Sequence, residues 1–321
     1  MSADSIQLPP QALPAATDSV VPQPKGESLS AVAAVGAAVL CALFLGSESK
    51  SLSWMYNVWT TNPDNSHGLL VPFFAIALLW TRRAMRPSEN SRVSWVAFSL
   101  GALLICGATA MICFSIYARV NVVGGASVVP FAAGICLCYG GWAGARWAWP
   151  SVLFLVFMVP LPKQIGTQLG STLQHVATIS STFLMQLLGM PAVAEGNVIF
   201  LTHNSLGVAE ACSGIRMLMS FFALTTALCF MVERAAWEKA LIWISAPVIA
   251  VVANVLRITA TGIAYEFGSE RLAELIFHDL AGWLMMPVGL LLLWIELFLL
   301  ARLFPVDDDE DASLSQRGAR N

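Results

Sequence analysis

Charge is what this chain has least of. Charged residues make up 12% of its 321 residues and hydrophobic ones 57%, whereas a soluble domain carries about 25% charge. That scarcity excludes an ordinary water-soluble globule and points to a chain that crosses the bilayer several times. A span in lipid has no water for its backbone, so it must be helical. No basic stripe with interleaved aromatics is present, which argues against nucleic acid as a partner. A His-Glu-x-x-His zinc motif is also missing, and no metal or cofactor is expected. A serine site of the Gly-x-Ser-Gly kind fails too: Ala211 stands where the first Gly would be, and Cys212 precedes Ser213. Cysteine spacing offers no pairs. The seven thiols are Cys41, Cys106, Cys113, Cys136, Cys138, Cys212 and Cys229, and their odd number and spacing argue against a disulfide framework. Six lie in apolar runs, where a thiol packs as a small hydrophobe. Cys136 and Cys138 have no His or carboxylate beside them and read as packing, not as a metal site. Only Cys212 has polar company. No basic stretch leads directly into an apolar run with a small-residue cleavage site, so the first apolar segment is expected to be a retained anchor.

What is present is a series of apolar segments. Residues 1–28, rich in Pro, Ala, Ser and Gln, are expected to be a disordered cytoplasmic leader. Residues 304–321, with the acidic run Asp307–Asp311, are expected to be a disordered cytoplasmic tail. Residues 29–303 between them are expected to form one polytopic, all-α membrane domain. Eight spans can be drawn: Leu29–Gly46, Gly68–Thr81, Val93–Tyr117, Val122–Gly141, Trp147–Leu161, Ile215–Val232, Ala240–Tyr265 and Leu280–Leu303. The second and fifth are short against the ~20 residues a crossing needs. The segment Gln164–Gly189 is helix-like but carries Gln164, Gln168, Gln174, His175, Ser180, Ser181 and Gln186. It reads as an amphipathic helix at the interface or partly inserted.

Basic residues orient the chain. With the N-terminus inside, inner segments hold Lys25, Arg82, Arg83, Arg86, Arg92, Arg146, Arg234, Lys239, Arg302, Arg317 and Arg320. The outer side holds Lys50, Arg119, Lys163, Arg216, Arg257 and Arg271. Three polar groups then fall at one depth. Cys212 is 21 residues from the inner-side Glu233, Arg257 is 18 from Lys239, and His278 is 24 from Arg302. At ~1.5 Å per residue these are roughly 27–36 Å, about one hydrocarbon thickness. All three groups therefore sit near the outer boundary, on three separate spans.

Their chemistry is that of acyl transfer. The thiolate is the reactive form of cysteine. A helix N-terminus and Arg216, one turn on, both favour it. Glu210 opposes it unless paired with an arginine, and Gly214 leaves the backbone open to a substrate. Arg257 is a costly charge in a span; Asn254, three residues earlier, shares its face. Either Arg257 snorkels to the interface, or its guanidinium donors meet the oxyanion of a tetrahedral intermediate. A base to take the thiol proton can come from His278, His67 or His203, while His175 reads as a surface residue.

Glu210-Ala-Cys-Ser-Gly-Ile-Arg216, Asn254-Val-Leu-Arg257, and Phe277-His278 with Gly282 beyond it, in that order at span ends, resemble the exosortase/archaeosortase family. Ser66-His67-Gly68 and the stretch from Leu188-Gly-Met-Pro191 to Gly196 fit its upstream half, so the similarity runs from about Ser66 to Leu300. The resemblance implies a multi-pass cysteine protease or transpeptidase of the cell inner membrane, found in exopolysaccharide-producing bacteria. It implies exported proteins with a C-terminal tripartite sorting signal of the Pro-Glu-Pro (PEP-CTERM) type as substrates, an unidentified envelope acceptor, and an active site facing the periplasm. It also implies Cys212, Arg257 and His278 as the catalytic set, with Arg216, Asn254, Glu210 and His67 in binding or supporting roles. Two other readings stay open: a transporter or exopolysaccharide export or biosynthesis subunit, and a thiol acyltransferase acting on sugars. Gathering of the polar groups at one face speaks against a transport path.

Overall fold

A computed structural model describes residues 27–87, 93–202, 204–208, 214–232, 234–267 and 281–303. Helices α1 (Glu27–Ser47) and α2 (Ser49–Thr61) meet at a 67° bend. Glu48 stands at that bend, 1% exposed, and accepts a 3.3 Å hydrogen bond from Ser127 Oγ. Ser127 is the N-cap of α6 (Val128–Phe154), so the carboxyl lies where a helix dipole favours an anion. A 3-10 helix, Pro63–Leu69, leads into the short α3 (Val71–Thr81). Helix α4 (Trp95–Ala118) starts where the Ser94 side chain accepts from the Ala97 N–H, an ordinary N-cap. After α5 (Asn121–Ala126), α6 packs along α4. Gly101 and Gly134 make that approach possible: a Cβ on either would lie 2.8 Å from the other's carbonyl oxygen. Small residues let helix backbones come this close in a membrane.

The chain continues through a 3-10 turn (Leu155–Met158), α7 (Lys163–Leu187), strands β1 (Val193–Glu195), β2 (Val198–Phe200) and β3 (Ser205–Gly207), then α8 (Ile215–Met231), α9 (Ala236–Phe267) and α10 (Ala281–Leu303). Leu218 and Phe221 of α8, Ala246 and Ala253 of α9, and Leu293 and Leu300 of α10 share one buried core. A second core joins α7, α9 and the strands through Ala177, Met185, Ile199, Leu206 and Ile258.

By length and composition, three described helical stretches can each cross a membrane: Trp95–Ala118, Asn121–Met158 and Ala236–Phe267; the bent α1–α2 pair would make a fourth. The expected spans Val93–Tyr117 and Ala240–Tyr265 correspond to α4 and α9. Those at Leu29–Gly46 and Ile215–Val232 correspond to α1 and α8. The expected span Gly68–Thr81 differs: its first residues belong to the 3-10 helix, leaving α3 with 11 residues. Val122–Gly141 and Trp147–Leu161 fall within one helical stretch that folds back at Gly141 (φ 57, ψ −153). A Cβ on Gly144 would lie 2.8 Å from the Cys136 carbonyl oxygen, although residues eight apart in a straight helix are about 12 Å apart along the axis.

The described residues are mostly helical, as the all-α expectation has it; the exception is a small antiparallel sheet of order β1-β2-β3. Glu195 pairs with Val198 across the two-residue Gly196-Asn197 loop, where Gly196 supplies the positive φ (61°) such a tight hairpin needs. The helix expected at Gln164–Gly189 is present as α7; Gln164, Gln168, His175 and Gln186 are exposed on it, while Ser181 packs inward. Gly170, Ala177, Thr178, Ser181 and Thr182 form a buried face of small residues. That face runs alongside α9 in the same direction: Ser181 Oγ donates to the Val255 carbonyl at 3.3 Å, and Met185 packs on Gly262.

Candidate active site

The segment Asn62-Pro-Asp-Asn-Ser-His-Gly68 is built as a rigid corner. Pro63 opens the 3-10 helix and the Asn62 side chain accepts from the Asp64 N–H at 2.9 Å. Trp59 closes the corner: its indole donates to the Met158 carbonyl at 2.9 Å and lies on Gly68, where a Cβ would collide with the ring. Residues three apart eclipse in a 3-10 helix, so Asp64 and His67 share a face. The corner packs on α8, and Asp64 Oδ1 stands 3.8 Å from Arg216 Nε. Both side chains are about a third exposed (33% and 37%), so the pair is a weak tether of ~1 kcal/mol or less.

A second set of groups meets the head of α8 from α9. Gly214 takes the left-handed conformation (φ 75°) just before Ile215. A Cβ on Gly214 would lie 3.2 Å from Asn254 Nδ2, so the buried Asn254 amide lies against the start of α8. Arg257 follows one turn later on the same side of α9; its carbonyl accepts from Thr261 Oγ1 at 3.0 Å. On the other flank of residues 209–213, the Val208 N–H donates to the Asn197 carbonyl at 2.8 Å, and Gln174 Nε2 donates to the Val208 carbonyl. Sheet, α7 and α9 thus fix both ends of the stretch that carries Glu210 and Cys212.

Beside this junction lies a cleft of about 680 Å³, lined among others by Asp64, Arg119, Lys163, Gln174, Ile215 and Met219. Two cations and a carboxylate in its walls suit a polar, charged ligand. Sequence reasoning missed Asp64, Arg119 and Lys163. Asp64 had a local signal in the Asn-Pro-Asp turn next to Ser66-His67-Gly68; the other two have none outside the fold. Among the described residues, no group of three or more His, Cys, Asp or Glu side chains is placed to hold a metal ion.

The structure therefore brings Asp64 beside Arg216 and Asn254 against Gly214, both at the start of α8; His67 shares the Asp64 face of its 3-10 helix, and Arg257 lies one turn beyond Asn254 on α9. Cys212, Glu210, His278 and His203 lie outside the described residues.

His67 is the described imidazole of the site. Burial lowers its pKa below the ordinary 6.5, opposed by the nearby backbone carbonyls of Asp64 and Phe157. The ring is neutral at pH 7, the form in which an imidazole accepts a proton. The folded state binds this proton less readily than the unfolded chain, so stability falls as pH drops below 6.5 and continues to fall to the lowered folded value. Melting temperatures in detergent between pH 7.5 and 5.5 should fall more steeply for the native protein than for His67→Asn. Equal slopes would show that His67 is not buried neutral.

The family model described as transmembrane exosortase matches residues 59–295. No curated protein and no solved structure matches the chain.

Proposed function

From the chain's membership of the transmembrane exosortase family, we propose that it is a membrane-embedded cysteine protease or transpeptidase acting on C-terminal sorting signals of exported proteins. The signals are of the PEP-CTERM type, cleavage occurs at the outer face of the inner membrane, and Cys212 carries the acyl group as a thioester. The observation that carries this reading is the convergence on the head of α8. Asn254 lies against Gly214, two residues after Cys212, Arg257 is one turn away, and Arg216 with Asp64 faces the same end beside a polar cleft.

In this mechanism an imidazole, assigned to His278 on the family pattern, takes the Cys212 proton. The thiolate attacks the scissile carbonyl carbon, a C–S bond forms, and the carbonyl electron pair moves onto oxygen. Arg257 meets that oxyanion. Collapse of the intermediate breaks the C–N bond, and the leaving amine takes the proton back from the imidazolium. Water or an acceptor nucleophile then attacks the thioester and releases the thiolate. Arg216 binds the acidic residue of the signal, which takes the place of Asp64 beside its guanidinium.

A direct test is co-expression with an exported reporter that ends in a Pro-Glu-Pro segment, a transmembrane helix and a basic cluster. The native enzyme should shorten the reporter, and acid quenching should trap a reporter adduct on Cys212, identifiable by mass spectrometry. An adduct on another residue, or shortening that does not depend on the enzyme, would refute the reading.

Eight spans, cytoplasmic termini and a periplasmic site complete the proposal, supported by the basic-residue asymmetry. Single cysteines introduced as Asn65→Cys, Ser88→Cys, Ala236→Cys and Glu270→Cys test it, in a background without reactive native thiols. A membrane-impermeant reagent added from the periplasm should label positions 65 and 270 and spare 88 and 236. The opposite pattern reverses the orientation.

A further inference from the structure

Resting on that reading, we propose that the groove between α9 and α10 holds the transmembrane helix that anchors the protein substrate. The groove has a volume of about 320 Å³, and its walls include Ser245, Val248, Val252, Ile295, Glu296 and Leu299. On both helices the lining recurs at three- and four-residue intervals, which makes one continuous face of the kind another helix packs into. The valines, Ile295 and Leu299 are exposed along it.

Glu296 sets this groove apart from a plain lipid-facing surface. It lies seven residues before the end of α10, about 10 Å inside it. A carboxyl within an apolar span is costly and marks a functional contact by default. Ser245 Oγ donates to Glu296 Oε2 at 2.7 Å. Among the described residues, no cation lines the groove and none, Lys239 at the start of α9 included, forms an ion pair with Glu296. A helix seated there with a lysine or arginine at this depth would supply the missing charge.

The groove also leads to the right level. Its upper end at Val252 is five residues before Arg257 on the same helix, about 8 Å along the axis. A helix leaving the groove ends near the level where Asn254, on the opposite face of α9, meets Gly214 at the head of α8. A peptide bond just beyond the outer end of that helix reaches such a site by passing around α9.

Photo-crosslinking tests this in membranes holding the full-length Cys212→Ala enzyme and the reporter described above. A benzophenone amino acid replaces Val248 or Leu299, and Leu103, exposed on α4, serves as the control position. Both groove positions should crosslink to the helix of the reporter, and Leu103 should not. Glu296→Leu, and removal of the basic cluster from the reporter, should each lower the adduct about three- to tenfold, the range of a single polar contact between membrane helices. Crosslinks to a second copy of the enzyme, or no protein adduct above the Leu103 control, overturn the proposal. Its failure is distinguishable from failure of the cysteine reading. If Cys212→Ala blocks processing and the groove gives no adduct, the groove alone is wrong. If the groove crosslinks while Cys212→Ala still processes, the thiol is wrong and the docking site stands.

Discussion

Cys212→Ala is expected to abolish processing of an anchored reporter, by at least ~10³-fold, while the protein stays in the membrane at native level. Without a nucleophile the acyl group has nowhere to go. Cys212→Ser should fail almost as completely, because a hydroxyl is far harder to ionise than a thiol and no strong base adjoins it in sequence. The other six cysteines provide the internal control. Each should tolerate Ala, since their surroundings ask for bulk and not for reactivity. Cys106 and Cys113 are exposed on the apolar α4, and Cys41, Cys136, Cys138 and Cys229 are half-buried. Cys138 and Cys229 use their thiols only as weak donors, to the Phe98 and Lys239 carbonyls at 3.7 and 3.3 Å. Product size on a gel, beside enzyme abundance in the membrane fraction, decides the matter. Full activity in Cys212→Ala, or loss that merely follows degradation, removes Cys212 from the mechanism.

The parts legible in the sequence were those that depend on one segment at a time. Helices α4 and α9 were legible because a long apolar run is bounded by polar groups: Ser94 and Arg119 for α4, Arg234 and Glu266 for α9. Asn254 and Arg257 could be placed on one face from the helical period alone. The fold-back at Gly141 was hidden, because apolar residues on both sides suit a straight span as well as a bent one. The strands were hidden because each has three residues, too few for alternation to register. Contacts across the bundle were beyond pattern reading altogether. Nothing in Asp64 announces Arg216, and nothing in Gly214 announces Asn254; both pairs exist only because α8 packs simultaneously on the 3-10 corner and on α9.

The two arginines should fail in different ways, and Asp64 makes the contrast sharper. Arg257 is assigned to charge that exists only in the transition state. Arg257→Ala should therefore lower the cleavage rate about 10²- to 10³-fold, the loss typical of one oxyanion donor, while substrate still crosslinks to the enzyme. Arg257→Lys should recover little, because an ammonium lacks the planar two-pronged donor geometry. Arg216 is assigned to the ground state. Arg216→Ala should weaken substrate crosslinking about tenfold, equivalent to ~1.4 kcal/mol, and lower the rate of bound substrate by less than that. A reporter whose motif Glu is changed to Gln should lose less against Arg216→Ala than against the native enzyme. Asp64 stands 3.8 Å from Arg216 and competes with the substrate carboxylate for the same guanidinium. Asp64→Asn should accordingly move recognition the other way, toward tighter capture of the acidic reporter, with no gain for the Gln reporter. If Arg257→Ala loses crosslinking while Arg216→Ala keeps it but cannot cleave, the two roles are exchanged. If Asp64→Asn weakens capture as Arg216→Ala does, Asp64 orients the arginine and does not compete for it. Normal processing by both arginine variants would make them interfacial anchors and leave the chemistry to groups on other elements.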